Sequence, residues 1–168
     1  MTQSTAETNR NIAFSLSNNL PRLLREFSRD YERKIYERLV ERGYPDIRPS
    51  HSQVFANLGL GAVRVTELAE RARVTQQAMG KMLKELERLG YVARDTDDAD
   101  RRARVIRMTQ KGIDMTAVCL EIVNQLYTEY AEKIGHRRLE ELEERLREAV
   151  GLLELDYLPE SWQVTDQG

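Results

Sequence analysis

The sequence predicts a mainly α fold with a small β wing: a helix-turn-helix held between long N- and C-terminal helices. Three observations predict it. Apolar residues recur at steps of three and four over most of the chain, the period of an amphipathic helix. Two short β-prone runs, Tyr91–Arg94 and Arg104–Met108, flank a polar tip, DTDDADRRA, that is too charged to fold inward. Aromatic residues make up only 7% of the chain and Gly is modest, which disfavours an all-β architecture.

Composition narrows the function classes. At 168 residues the chain holds one domain with a sizeable core, and with 32% charged residues most charges must sit on solvated helix faces. No apolar run approaches the ~20 residues that span a bilayer, so no membrane partner is expected. The N-terminal stretch lacks a basic region followed by an apolar core, so no signal peptide is expected. The single Cys119 excludes an internal disulfide and suits a reducing cytoplasm. His51 and His136 are too far apart for a recognisable metal motif. No Gly-rich phosphate loop, nucleophile elbow or paired-carboxylate arrangement is visible, so neither an enzyme nor a cofactor is expected.

In chain order, residues 1–17 read as a flexible arm. They are polar to residue 10, and Ile12, Phe14 and Leu16 then alternate with polar residues as an arm or a frayed helical turn. Asn18 or Asn19 caps a helix that tolerates Pro21 in its first turn. Leu20, Leu24, Phe27, Tyr31, Ile35 and Leu39 form its single apolar stripe, and Gly43 and Pro45 stop it. This helix exceeds what a small domain needs at its end, so part of the stripe is expected to meet a partner. Residues 18–46 are therefore assigned as an N-terminal dimerisation helix.

Residues 47–112 form the predicted reader. Pro49-Ser50 starts a helix with Val54, Phe55 and Leu58 facing inward, ended by Gly59-Leu60-Gly61. Arg64-Val65 is placed to add an edge to a small sheet. Thr66 caps a helix over Glu67–Arg71, with Leu68 and Ala69 inward, and Ala72-Arg73-Val74 makes a turn plugged by Val74. Thr75 caps the next helix, Gln76–Leu89, closed by Gly90. Ala78, Met79, Met82, Leu83, Leu86 and Leu89 are its expected buried side. Gln76, Gln77, Gly80, Lys81, Lys84 and Arg88 are left facing out.

That outer face carries no acid in its first turns. Two amides and a lysine there are suited to hydrogen-bonding base edges in a major groove. The competing possibility is a solvated face in which Lys81, Lys84 and Arg88 are balanced by Glu85 and Glu87. The wing decides between them. Arg101 and Arg102 follow Asp100 at the tip, with Arg104 just beyond. A projecting guanidinium can enter a narrow A·T-rich minor groove, and Asp100 can hold an arginine in position. Residues 64–111 carry 12 Lys/Arg against 8 Asp/Glu, whereas the remainder carries 14 against 20. A basic module in an acidic body is what a phosphate-binding face requires, so double-stranded DNA is the expected partner.

After the reader, Thr109 caps a long helix through about Ile134, with Ile113, Ala117, Leu120, Val123, Tyr127 and Tyr130 along it. Gly135-His136 breaks it. Arg137–Leu155 then places Leu139, Leu142, Leu146, Val150 and Leu153 at coiled-coil-like spacing, with Glu141/Arg145 and Glu143/Arg147 as flanking pairs. Residues 113–158 are assigned as C-terminal dimerisation helices and 159–168 as a tail. Three long helices leave more apolar stripe than the reader can cover. A twofold pairing of copies would also set two recognition helices about 34 Å apart, one turn of B-DNA.

The stretch ELAERARVTQQAMGKMLKELERLGYVAR followed by DADRRARVIRMTQKG resembles the MarR family of winged helix-turn-helix transcription regulators. Leu68-Ala69, Val74-Thr75, Leu86, Leu89-Gly90-Tyr91-Val92, Asp100-Arg101-Arg102 and Met108-Thr109-Gln110-Lys111-Gly112 carry the resemblance. It covers about 48 residues, and its most specific part is the Asp-x-Arg wing followed by Thr-x-Lys-Gly. The resemblance implies a homodimer with interlocked terminal helices and recognition helices in successive major grooves of a pseudo-palindrome. Thr75, Gln76, Gln77, Gly80, Lys81 and Lys84 would contact DNA from the helix. Asp100, Arg101, Arg102 and Arg104 would do so from the wing, with Arg102 in the minor groove and Arg101 on phosphate. The tip has Asp98-Ala99 where relatives often have a proline. Gly80 departs from good helix chemistry by ~1 kcal/mol relative to Ala and would let backbone approach DNA.

The resemblance also implies a regulator, usually a repressor, that a small aromatic or anionic effector can release. Phe27, Tyr31, His51, Phe55 and Tyr127 are the candidate pocket residues; the competing readings are core for the aromatic residues and a polar surface position for His51. Some relatives sense oxidants through cysteine, but Cys119 lies mid-helix beside apolar neighbours and reads as structural. The alternative function is a winged-helix scaffold for protein interaction without DNA binding.

Overall fold

The computed structural model describes residues 2–96 and 104–155, apart from the side chains of 2–4 and 96. Two N-terminal helices, α1 (Thr2–Ser17) and α2 (Leu20–Glu41), precede a 3-10 turn at Pro49–His51. The reader follows as α3 (Ser52–Leu58), β1 (Val63–Arg64), α4 (Val65–Arg71), α5 (Gln76–Arg88), β2 (Val92–Thr96) and β3 (Arg104–Met108). Two C-terminal helices, α6 (Gln110–Ile134) and α7 (His136–Leu152), complete the described chain.

Capping side chains fix several of these boundaries. Asn19 accepts the Arg22 N–H at 2.9 Å, Thr75 accepts that of Ala78 at 3.1 Å, and Thr109 accepts that of Gly112 at 3.2 Å. The three strands form one antiparallel sheet in the order β1-β3-β2, with Val63 opposite Ile106, Val92 opposite Met108 and Thr96 opposite Arg104. Leu39 of α2, Leu58 of α3, Leu68 of α4, Leu83 of α5, Ile106 of β3 and Ile122 of α6 share one core beneath the reader. A smaller cluster joins Tyr130 and Ala131 of α6 to Leu139 of α7, with Phe27 and Tyr31 of α2 packed on it.

Several expectations need correction. Residues 2–17 form a 16-residue helix and not an irregular arm. Thr66 does not cap α4: the N-cap is Arg64, without a side-chain cap bond, and Thr66 lies within the first turn. The sheet edge is Val63–Arg64, because Val65 already has helical backbone. Ala78 is exposed although Met79, Leu83 and Leu86 beside it are buried, since position 78 lies at the edge of the apolar arc of α5. On α7, Glu143 pairs with Arg147 as expected, but Glu141 pairs with Arg137 and Arg145 with Glu148.

The stripe on α6 also differs. Met115, Ile122 and Leu126 face the core, while Leu120 is 60% exposed and Ile113 37% exposed. This helix is apolar on two sides, so periodicity alone cannot choose between them. The choice is marked by ion pairs to α2, Arg38–Glu129 and Arg42–Glu121, both at 2.6 Å. Leu20 and Leu24 of α2, and Leu142 and Val150 of α7, remain exposed.

Candidate nucleic-acid interface

The helix pair α4 and α5 sits on the core through Leu68, Ala69, Met79, Leu83 and Leu86. The turn between them is tight enough that Arg73 adopts a positive φ of 53°. The amphipathic arc of α5 thus fixes which side chains face outward: Gln76, Gln77, Lys81, Lys84 and Arg88 are all exposed, behind the Thr75 cap. No acid lies in the first turn of α5, so its N-terminal backbone N–H groups and dipole keep their positive potential. Gly80 is half-buried, and a Cβ built there would meet nothing within 4 Å. Packing within the chain therefore does not require this glycine.

The two acids of α5 are engaged elsewhere. Glu87 accepts from Arg94 Nε of β2 at 3.0 Å. Glu85 lies 3.4 Å from Arg48 Nη2 and 3.4 Å from His51 Nε2. Among the described residues, none of Lys81, Lys84 and Arg88 has an ion-pair partner. Glu85 and Glu87 are thus held by partners from other elements, with Arg88 also acting on Glu85, and three exposed cations project on the same helix as two exposed amides.

His51 is not a surface residue. It is fully buried. Its Nδ1 accepts the Arg48 N–H at 3.2 Å, which leaves the proton on Nε2, aimed at Glu85 without the alignment of a hydrogen bond. His51, with Arg48 behind it, holds the Glu85 carboxyl below its usual range. Sequence reasoning missed this contact because the two residues are far apart in the chain and neither lies in a motif.

The wing emerges as the β2–β3 hairpin, whose last described pair is Thr96 and Arg104. Arg104 is exposed at that outer end, and Arg107 Nε lies 3.9 Å from Asp95 Oδ2 across the strands. Asp100, Arg101 and Arg102 lie outside the described residues.

The five candidate pocket residues divide. Phe27, Tyr31 and Tyr127 line a cavity of about 500 Å³ between α2, α6 and α7, together with Leu142 and Leu146. Phe55 lines a different cavity of about 230 Å³ between α2, α3 and α6, with Tyr36, Leu39, Met115 and Cys119. His51 lines neither. Among the described residues, neither lining contains Lys, Arg or His; the charged residues present are Glu143 in the first and Glu32 in the second. Burial pushes the Cys119 thiol above its usual range. Among the described residues, no group of three or more His, Cys, Asp or Glu could hold a metal ion, and no helix is long and apolar enough to cross a membrane.

Helix pair, outward-facing α5 and antiparallel hairpin together define a winged helix-turn-helix protein. Residues 46–103 match the MarR family. The chain is 28% identical over 98 residues to the exopolysaccharide II synthesis transcriptional activator ExpG of Rhizobium meliloti, covering 58% of this chain and 50% of that protein. It thus spans about half the length of that relative. Among solved structures, the reduced form of MarR from E. coli superposes with a TM-score of 0.68 at 22% identity, covering 79% of this chain and 96% of that one. A transcriptional regulator from Thermotoga maritima gives a TM-score of 0.59 at 25% identity, over 80% of this chain and 93% of that one. A mutant MarR from E. coli complexed with operator DNA gives 0.64 at 22% identity, over 82% and 97%. The match to the MarR family covers residues 46–103, and the solved structures share the fold of the described chain.

Proposed function

We propose that this chain is a homodimeric, sequence-specific DNA-binding transcriptional regulator of cytoplasmic location. One observation carries the proposal: the outer face of α5 combines Gln76 and Gln77 with three cations whose neighbouring acids are engaged elsewhere. Amides read base edges, and uncompensated lysines bind phosphate. In this reading Thr75, Gln76, Gln77, Gly80, Lys81 and Lys84 contact the major groove. Asp100, Arg101, Arg102 and Arg104 act from the wing, with Arg102 in the minor groove. The operator-bound E. coli protein supports a duplex as the partner.

Dimerisation is supported by the exposed apolar residues of α2 and α7, which no described element of the same chain covers. The second copy sets two α5 helices one turn of DNA apart, so the operator is a pseudo-palindrome. Repression is the proposed outcome, relieved by a small aromatic effector. Of the two cavities, the one lined by Phe55 lies between α2, α6 and the reader, where a ligand would change their relation. An anionic effector finds no counter-charge among either set of lining residues.

The test is binding to the DNA upstream of the protein's own gene across a salt series. A reader neutralising 6–10 phosphates loses roughly 10³- to 10⁵-fold in affinity between 50 and 200 mM salt. Binding that is absent or insensitive to salt, with the dimer intact, would instead indicate a winged-helix scaffold.

A further inference from the structure

The C-terminal end of α5 is tied to the first turn of α6 by a compact set of contacts. Lys111 Nζ donates to the Leu89 carbonyl at 2.8 Å, lies 4.1 Å above the Tyr91 ring and stands 3.9 Å from Asp46 Oδ2. Tyr91, whose side chain is fully buried, donates its hydroxyl proton to Asp46 Oδ1 at 2.7 Å. Thr109 donates its hydroxyl to the Gly90 carbonyl at 2.6 Å and its backbone N–H to the Tyr91 carbonyl at 3.0 Å. Gly112 lies so close to the Tyr91 carbonyl that any Cβ would collide with that backbone oxygen. Three segments distant in sequence meet here: the loop after α2, the end of α5 and the start of α6.

The chemistry suits a clamp. The ammonium of Lys111 meets a carbonyl at the negative end of the α5 dipole. The aromatic face beneath that cation and the carboxylate beside it add attraction of the same sign. The Tyr91 hydroxyl, buried with a carboxylate acceptor, strongly favours its neutral form. The phenol therefore remains a donor through the physiological pH range. Rotating α5 about α6 would break the Lys111–Leu89 bond and strip Tyr91 of its partner at once.

We propose that Asp46, Tyr91 and Lys111 form a latch that sets the angle of α5 against α6, and that DNA affinity depends on that angle. The second half rests on the DNA-binding reading above; the first does not. These are positioning residues at the C-terminal end of α5, away from Gln76, Gln77 and Lys81 in its first turns, and they make α5 move with the long helices as one body.

The first measurement is an intrachain distance distribution between spin labels on α5 and α6. Labels are placed through Gln77→Cys and Glu132→Cys in a Cys119→Ser background, with excess unlabelled chain added to suppress distances between copies. With the latch intact the distribution is narrow. Lys111→Met and the milder Tyr91→Phe are expected to broaden or shift it, and Lys111→Arg, which keeps a cationic donor, is expected to restore it. The second measurement, on unlabelled proteins, is affinity for the upstream DNA. It is expected to fall by roughly tenfold or more in Lys111→Met, the scale of one charge-assisted hydrogen bond, and to recover in Lys111→Arg. An unchanged distance distribution in both Lys111→Met and Tyr91→Phe overturns the latch. A broadened distribution with undiminished affinity overturns its role in recognition. Failure of the unmodified protein to bind DNA would overturn the functional reading alone, because the distance measurement requires no DNA.

Discussion

His51 Nε2 lies 3.4 Å from the Glu85 carboxylate, linking the turn that opens α3 to α5. The imidazole is completely buried and already occupies its other nitrogen with the Arg48 N–H. Replacing His51 by Ala leaves that N–H and part of Glu85 without a partner. A loss of about 1–3 kcal/mol in unfolding free energy is expected, measured by chemical denaturation. Binding to DNA at temperatures well below the melting transition should weaken with it, because Glu85 is then free to neutralise cations on its own helix.

The pH dependence follows from the same pair. Glu85 is held below its ordinary range, so its contribution to stability is present above the unfolded carboxyl's pKa and is lost as the pH falls through the depressed folded value. Asp30 behaves alike, lowered by the Tyr130 hydroxyl, Lys34 and Arg33. Asp30→Asn is therefore expected to lower the melting temperature at pH 7, with the gap from the unmodified protein closing below about pH 4, near the ordinary Asp pKa. An equal gap at both pH values would contradict this.

On the outer face of α5 the residues should separate by kind. Lys81→Ala and Lys84→Ala should weaken binding to all duplexes alike and each reduce the salt slope by about 1. Gln77→Ala should leave the salt slope unchanged and relax base preference, seen by comparing the operator with single-base variants.

Gly80→Ala offers a sharper comparison. With open space around the added methyl, it should stabilise the helix by up to ~1 kcal/mol. If α5 backbone approaches a groove at this position, the same methyl should lower DNA affinity. A more stable protein that binds less well is the expected outcome, from melting and titration on one sample.

Cys119 lines the smaller apolar cavity, and its thiol is pushed up by burial. It should react with a thiol reagent at pH 7 far more slowly in the folded protein than in denaturant. Equal rates in the two states would restore it as a candidate sensor.

The sequence made the reader legible because short-range chemistry defines it. Thr75 and Thr109 are caps that need only their next turn, and the β2–β3 pair is bounded by its own tip. What escaped were choices made at long range. Nothing in the spacing of α6 says that Met115 and Ile122 face the core while Leu120 faces outward; α2 decides that. The aromatic residues Phe27, Tyr31, Phe55 and Tyr127 were visible, but their division between two cavities depends on how α2 crosses α6 and α7. The engagement of Glu85 and Glu87, which strengthens the DNA-binding reading, rests on partners from other elements.

The sheet order β1-β3-β2 sets the order in which the molecule can assemble. Val63 pairs with Ile106, so the strand before α4 is completed only by the strand after the wing. The helix pair α4–α5 is enclosed between two strands that are neighbours in space and remote in sequence. Closing that loop costs entropy before the contact returns any stabilisation. The reader should accordingly fold as one cooperative unit, slowly for so helical a protein. A nascent chain would hold no finished reader until the ribosome has released β3.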